Sequence, residues 1–172
     1  MDILMTVLRL IHIGGGIFWV GATFFTEWFM GPTLAGLGPE GGRFMQRLMT
    51  QTRFPVAISV APVLTMLSGI IMYGRDFSQY GGLDWLTHYE GLAFTIGGLA
   101  GLLTLIPVFT MLRPAGARIL ALGQQMAAAG GPPSPAVLAE MQSLQEKRNM
   151  GGRLTALLLI IAVIGMATAR PF

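Results

Sequence analysis

The sequence predicts an all-α fold: an integral membrane four-helix bundle in which a cytoplasmic helical hairpin extends helices three and four. Of the 172 residues, 53% are apolar and only 11% are charged, whereas about a quarter of the residues of a soluble domain are charged. Four stretches are long and apolar enough to cross the ~30 Å hydrocarbon core of a bilayer. One long polar region separates the third stretch from the fourth. We therefore expect a single membrane domain embedded in the lipid bilayer.

The four predicted membrane helices cover residues 3–30, 54–74, 88–113 and 152–170. The first stretch follows Asp2 rather than a basic segment, and no small-residue cleavage site ends it. We therefore expect a membrane helix there rather than a cleavable signal peptide. Pro62 and Pro107 fall inside the second and third stretches and should kink those helices.

The polar region at residues 115–150 predicts the hairpin. Its two arms are rich in helix-forming residues, and the two glycines and two prolines at residues 130–133 predict the turn between them. Breaks near Pro114 and at residues 151–152 should separate the arms from the membrane helices. The hairpin would serve as a scaffold or as a docking surface for a partner.

The distribution of basic residues predicts how the helices are oriented. Most of them lie in the first and third connections, which places these connections in the cytoplasm and both termini outside the inner (plasma) membrane. The basic residues of the two connections are Arg43, Arg47, Arg53, Arg113, Arg118, Lys147, Arg148 and Arg153. Because the cations form no stripe with aromatic residues, we expect no nucleic-acid partner.

The polar residues of the first predicted helix recur every three or four positions and therefore share one face. A charged side chain that faces lipid costs roughly 2.5–3.5 kcal/mol near the helix centre. This polar face should therefore line the interior of the bundle. Its members are Asp2, Met5, Arg9, His12, Gly16, Trp19, Thr23, Glu27 and Met30.

The polar face predicts a site for b-type haem near the outer side of the membrane. The chain has no cysteine and two histidines, which excludes disulfides, iron–sulfur clusters and covalently attached haem. His12 would ligate the iron, and Gly16, one turn deeper, would leave room for the flat macrocycle. Trp19 would pack on the macrocycle, and Arg9 would pair with the propionates. The alternative is a structural histidine held by a hydrogen bond.

The second axial ligand is predicted to be His88. Thr87 and Glu90 fit the capping-box pattern S/T-x-x-E, which predicts Thr87 as the N-cap of the third membrane helix and His88 in its first turn. Helices one and three would then meet at the outer end, with both imidazoles in one cavity. Met72 and Met166 are substitute ligands. Thioether and imidazole together suit Cu(I), so copper is the alternative cofactor.

Glu27, at the cytoplasmic end of the polar face, is a candidate for proton transfer. A carboxylate within a membrane helix is a functional candidate by default. Glu27 lies about 22 Å from His12 at a rise of 1.5 Å per residue, and Thr23 could relay protons between them. The simpler alternative is an ion pair with Arg47 or Arg53.

The residues Arg9, His12, Gly16, Trp19 and Gly21 match the pattern R-x-x-H-(apolar)-G-x-x-W-(I/V)-G. Residues 1–30 thereby resemble the first helix of a superfamily that includes the copper-resistance D membrane domain, the membrane portion of bacterial cytochrome-type urate oxidases and the HemJ-type protoporphyrinogen oxidases. The resemblance implies a membrane protein whose first-helix histidine serves haem or a metal. HemJ-type enzymes use a lysine on a later membrane helix, and the sole lysine here lies in the hairpin, so their activity is not implied.

Three classes of function follow from these patterns. A small b-type cytochrome would pass electrons between a quinone and an outer-face electron carrier. A copper-handling protein of the copper-resistance D type and a non-catalytic membrane scaffold are the alternatives. Small residues on helices three and four allow close helix contact of the GxxxG kind, either within one chain or in a homodimer. They are Gly97, Gly101, Ala162, Gly165 and Ala169.

Overall fold

A computed structural model describes residues 2–169. Over these residues the chain forms five helices: α1 (Ile3–Gly36), α2 (Pro39–Gln51), α3 (Phe54–Gln79), α4 (Tyr89–Ala129) and α5 (Pro135–Thr168). All except α2 are long and apolar enough to cross a membrane. The predicted all-α membrane bundle is confirmed. Arg170, at the end of the predicted fourth span, lies outside the described residues.

The membrane helices form two antiparallel pairs, in which α1 packs along α3 and α4 packs along α5. Two polar contacts fix the register of the first pair. Arg75 forms an ion pair with Asp2 at 3.1 Å, and His12 Nδ1 lies 2.7 Å from the Thr65 carbonyl oxygen. The pairs meet through α1 and α5 and through α3 and α4. A small apolar core forms where α1, α3 and α5 come together, from Trp19, Ala61 and Leu159.

The contact between α4 and α5 depends on small residues. A Cβ atom added to Gly165 would lie 2.8 Å from the Gly97 Cα and 2.8 Å from the Ala93 carbonyl oxygen. Gly101 has open space around it instead. The predicted close helix contact is therefore formed within one chain at Gly97 and Gly165, where the backbones of the two helices nearly touch.

Helix α4 is irregular near its middle. Regular α-helix ends at Leu103, resumes over Leu105–Pro107 and is followed by a π-helical segment, Val108–Leu112. Pro107 has no N–H group, and its ring crowds the carbonyl four residues earlier. This explains why the helix is interrupted at Thr104, whose hydroxyl donates to the Gly101 carbonyl at 2.6 Å. Pro62, by contrast, lies within the continuous helix α3.

The hairpin is formed by the end of α4 and the beginning of α5. The predicted breaks near Pro114 and at residues 151–152 are wrong, because both helices continue through these positions. The turn follows the sequence: Gly130 ends α4 with φ of 65°, and Ser134 caps α5. Arg118 donates two hydrogen bonds, of 2.6 and 3.1 Å, to the Glu140 carboxylate across the hairpin.

The first connection contains more helix than the sequence indicates. α1 passes through a π-helical segment at Thr26–Met30 and continues to Gly36. After a turn at Gly38, which has φ of 54°, helix α2 fills most of the remaining connection. α2 is thus held between two membrane helices.

Candidate functional site

His12 lies half-buried in the interface between α1 and α3. Its Nδ1 is 2.7 Å from the Thr65 carbonyl oxygen, and because a carbonyl can only accept, Nδ1 carries the proton. A Cβ atom at Gly69 would lie 2.8 Å from the His12 Cε1, 3.0 Å from Nδ1 and 3.9 Å from Nε2. Gly69 therefore makes room for one edge of the ring. Nε2 lies on the ring edge farther from Gly69.

Polar groups of α3 continue this site. Thr65 Oγ1 is the one buried side-chain oxygen within residues 2–169 that has no hydrogen-bond partner. A Cβ atom at Gly15 would come within 2.5 Å of this oxygen. Ser68 Oγ donates to the Leu64 carbonyl at 2.6 Å and lies 3.1 Å from the Thr65 carbonyl. The His12 imidazole therefore belongs to a small polar cluster inside an apolar helix pair.

The other residues predicted around a haem have different surroundings. Arg9 is exposed, one turn from His12 toward the N terminus. A Cβ atom at Gly16 would make an ordinary contact, 3.7 Å, with Thr65 Cγ2, so Gly16 lies against α3. Trp19 is 6% exposed and belongs to the apolar core. Protein atoms thus pack against both Gly16 and Trp19.

The prediction that Thr87 caps the third membrane helix is wrong, because His88 itself is the N-cap of α4. A 3₁₀ turn at Trp85–Thr87 precedes it, and Thr87 donates its hydroxyl to the Asp84 carbonyl at 2.7 Å. The His88 side chain is exposed, and its Nδ1 lies 2.9 Å from the Asp84 carbonyl oxygen. The structure thus places His12 between two helices and His88 at an exposed helix start.

The two methionine candidates lie on different helices. Met72 is half-buried on α3, three residues beyond Gly69 and so on the same side of the helix. Met166 is half-buried on α5, where its backbone nitrogen would lie 3.2 Å from a Cβ atom at Gly97. Met72 therefore belongs to the helix pair that contains His12, and Met166 belongs to the other pair.

A second candidate site surrounds Glu27 in the π-helical segment of α1. Its carboxylate lies directly against Gly152 of α5, where any side chain would occupy the same space. The charges that act on this carboxylate belong to Arg148 and Arg153, and no ion pair to Glu27 forms within the described part of the chain. The predicted ion pair with Arg47 or Arg53 is wrong, because this segment contacts α5.

The neighbouring glycine of α5 receives the second π-helical segment. A Cβ atom at Gly151 would lie 2.9 Å from Met111 Cβ and 3.3 Å from Leu112 Cγ, both in the π-helical segment of α4. Segments of this kind often occur at functional sites. The hydroxyl of Thr23, one turn before Glu27, donates to the Trp19 carbonyl at 2.9 Å and so is bound to its own helix.

Residues 2–169 contain no group of three or more histidine, aspartate and glutamate side chains arranged to hold a metal ion. A haem iron needs only one or two protein ligands, so His12 is the residue whose geometry bears on a cofactor. Comparison with known protein families, with characterised proteins and with solved structures finds no match to this chain.

Proposed function

We propose that this membrane protein binds b-type haem through His12 and acts in electron transfer or membrane redox chemistry. The observation that carries the proposal is the 2.7 Å hydrogen bond from His12 Nδ1 to the Thr65 carbonyl. Histidines that bind metals commonly donate their other ring N–H to a carbonyl or carboxylate, which orients the ring and fixes its tautomer. The resemblance of residues 9–21 to the copper-resistance D, urate oxidase and HemJ superfamily supports the same assignment.

The remaining groups would complete such a site in different ways. Arg9, one turn from His12 and exposed, would pair with the haem propionates. Met72, on the same helix pair as His12, would be the second residue to hold the haem. Haem would supply one-electron chemistry, with a quinone or an outer-face carrier as the electron partner.

The absorption spectrum of the protein purified in detergent tests this proposal. We expect a Soret band and an α-band that appears on reduction. His12→Ala should remove both bands, whereas His88→Ala is the matched control and should keep them because His88 is exposed. Circular dichroism of each variant would establish that it is folded. The proposal fails if the unmodified protein, expressed with an ample haem supply, shows no Soret band or if folded His12→Ala retains it.

Copper handling is the second candidate, favoured by the register of α1 and α3. Met5 is buried. The interface between α1 and α3 is closed at one point by the Asp2–Arg75 ion pair and at another by the His12–Thr65 hydrogen bond. Met5 and Met72 lie between these two contacts. Two thioethers and an imidazole suit Cu(I). Competition with a chromophoric Cu(I) chelator should then show weaker binding in Met5→Leu or Met72→Leu. Met166→Leu is the control, because Met166 belongs to the other helix pair. If Met5→Leu and Met72→Leu bind Cu(I) as tightly as Met166→Leu, a copper site between α1 and α3 is refuted.

Glu27 is proposed as the residue that exchanges protons during this redox chemistry. Its half-buried carboxylate forms no ion pair in the described structure, so it is not fixed as a partner of one cation. Infrared difference spectra recorded on changing pH should contain a carboxyl C=O band that Glu27→Gln removes. A band unchanged by Glu27→Gln would contradict the assignment, and loss of folded protein in this variant would indicate a structural role.

A further inference from the structure

Helix α2 separates apolar from polar side chains almost completely. At 100° per residue, its apolar side chains occupy one side, and the arginines, glutamines, threonine and glutamate occupy the other. The apolar side consists of Phe44, Met45, Leu48 and Met49. The polar side consists of Glu40, Arg43, Gln46, Arg47, Thr50 and Gln51. A helix with this pattern is suited to a boundary between water and an apolar phase.

The apolar side of α2 is partly open although its residues are large. Phe44 is 51% exposed and Met49 is 41% exposed. α2 contacts the end of α1, where Gly41 packs tightly on the Leu34 carbonyl, and it also contacts α3. Met45 and Leu48, the other two members of the apolar side, are half-buried, so the described chain covers this side only in part.

The position of α2 in the chain determines which environment can cover it. Two residues join it to the end of α1 and two join it to the start of α3, and each such link reaches only about 7 Å. Both neighbours are helices long and apolar enough to cross the membrane. Because the links are short at both ends, α2 is held close to the ends of these membrane helices.

We propose that α2 lies in the plane of the bilayer surface and binds anionic phospholipid headgroups. Its apolar side would enter the boundary of the acyl chains, and its polar side would face the headgroups. Arg43 and Arg47 project from the polar side, and Arg53 follows the helix, against a single acidic residue, Glu40. Glu40 pairs with Arg43 at 2.7 Å, with both side chains about 70% exposed. This excess of positive charge is complementary to lipid phosphate.

The absence of cysteine allows the depth of α2 to be measured with single spin labels on the full chain. Labels would replace Phe44 or Met49 on the apolar side and Gln46 or Thr50 on the polar side, in nanodiscs of phosphatidylglycerol and phosphatidylethanolamine. We expect the apolar-side labels to be accessible to oxygen and the polar-side labels to a water-soluble nickel chelate. Apolar-side labels shielded from both reagents would mean that protein covers α2, and labels accessible to the chelate on both sides would mean that α2 is in water. Either result overturns the proposal.

The lipid preference provides an independent test. Each basic residue near an anionic surface contributes about fivefold in binding, so Arg43→Gln with Arg47→Gln should reduce the preference for phosphatidylglycerol over phosphatidylcholine by up to about thirtyfold. Glu40→Gln is the opposing control and should raise the preference, because it releases Arg43 from its ion pair. Native mass spectrometry of retained lipids measures the ratio. An unchanged ratio in both the double variant and Glu40→Gln would refute anionic headgroup binding.

Discussion

Replacing Gly165 with alanine should weaken the contact between α4 and α5, whereas the same change at Gly98 should not. The new Cβ would lie 2.8 Å from the Ala93 carbonyl oxygen and 2.8 Å from the Gly97 Cα. Ordinary contacts begin near 3.4 Å. The opposing atoms belong to the backbone and cannot rotate away, so the helices must separate by about 0.6 Å in a closely packed interface. Around Gly98 there is open space to 4 Å.

The magnitude follows from two opposing effects. Overpacking a well-packed interface costs about 1–3 kcal/mol, and replacing glycine by alanine within a helix returns up to about 1 kcal/mol. The second effect is shared by Gly165→Ala and Gly98→Ala. The difference between the two variants therefore isolates the steric effect, and we expect Gly165→Ala to be less stable than Gly98→Ala by about 1–3 kcal/mol.

The assay is reversible unfolding in mixed micelles with increasing sodium dodecyl sulfate, followed by circular dichroism. Equal free energies of unfolding for Gly165→Ala and Gly98→Ala would refute the close contact of α4 with α5. Crosslinking in detergent adds a second readout. If Gly165→Ala abolishes a crosslinked dimer and leaves the unfolding free energy unchanged, the small residues of α5 contact a second copy rather than α4.

Two further predictions concern the interface at His12 and the hairpin. In the same unfolding assay, Gly15→Ala should be less stable than Gly14→Ala by about 1–3 kcal/mol. The reason is that a Cβ at Gly15 would lie 2.5 Å from Thr65 Oγ1, whereas Gly14 has open space around it. Equal stability of the two variants would contradict the register of α1 on α3. In the polar hairpin, the hydrogen bond from Arg118 lowers the pKa of Glu140. The ion pair therefore stabilises the hairpin fully at pH values above the ordinary glutamate pKa, roughly 4.3. This stabilisation is lost as the pH falls through the lowered pKa of Glu140. Hydrogen exchange of the hairpin amides, corrected for its intrinsic pH dependence, should become faster in that range, and Glu140→Gln should remove the transition.

The positions of the membrane helices and the inward side of α1 could be predicted because both depend on local patterns. Length and apolar content decide which segments can cross a bilayer, and the spacing of polar residues decides which side of a helix avoids lipid. Met5 and Trp19 are accordingly buried and His12 lies between helices, whereas Asp2 and Arg9, near the start of the same face, are exposed. The turn of the hairpin was equally local, since Gly130 and the following prolines end one helix and permit the next.

Other features depend on competition between neighbouring signals. The capping pattern predicts Thr87 as the N-cap of α4, but Thr87 belongs to a 3₁₀ turn and donates its hydroxyl to the Asp84 carbonyl. The helix therefore begins one residue later than predicted. Pro107 interrupts α4 at Thr104, before its own position, because its ring crowds an earlier carbonyl. α2 has the charged composition of a connection. Only its angular pattern, with the arginines on one side and the large apolar residues on the other, distinguishes it from a loop.

The surroundings of Glu27 depend on residues that are distant in the sequence. Periodicity places Glu27 on the inward side of α1, but the residues it meets come from α5, more than one hundred positions later. Gly151 and Gly152 look like a helix break in the sequence, since glycine lowers helix stability. In the structure both glycines remain helical. Their missing side chains leave space for the two π-helical segments. One segment brings Met111 to Gly151, and the other brings the Glu27 carboxylate to Gly152. The glycine pair therefore allows three helices to meet around a carboxylate, and only the tertiary structure distinguishes that role from a hinge.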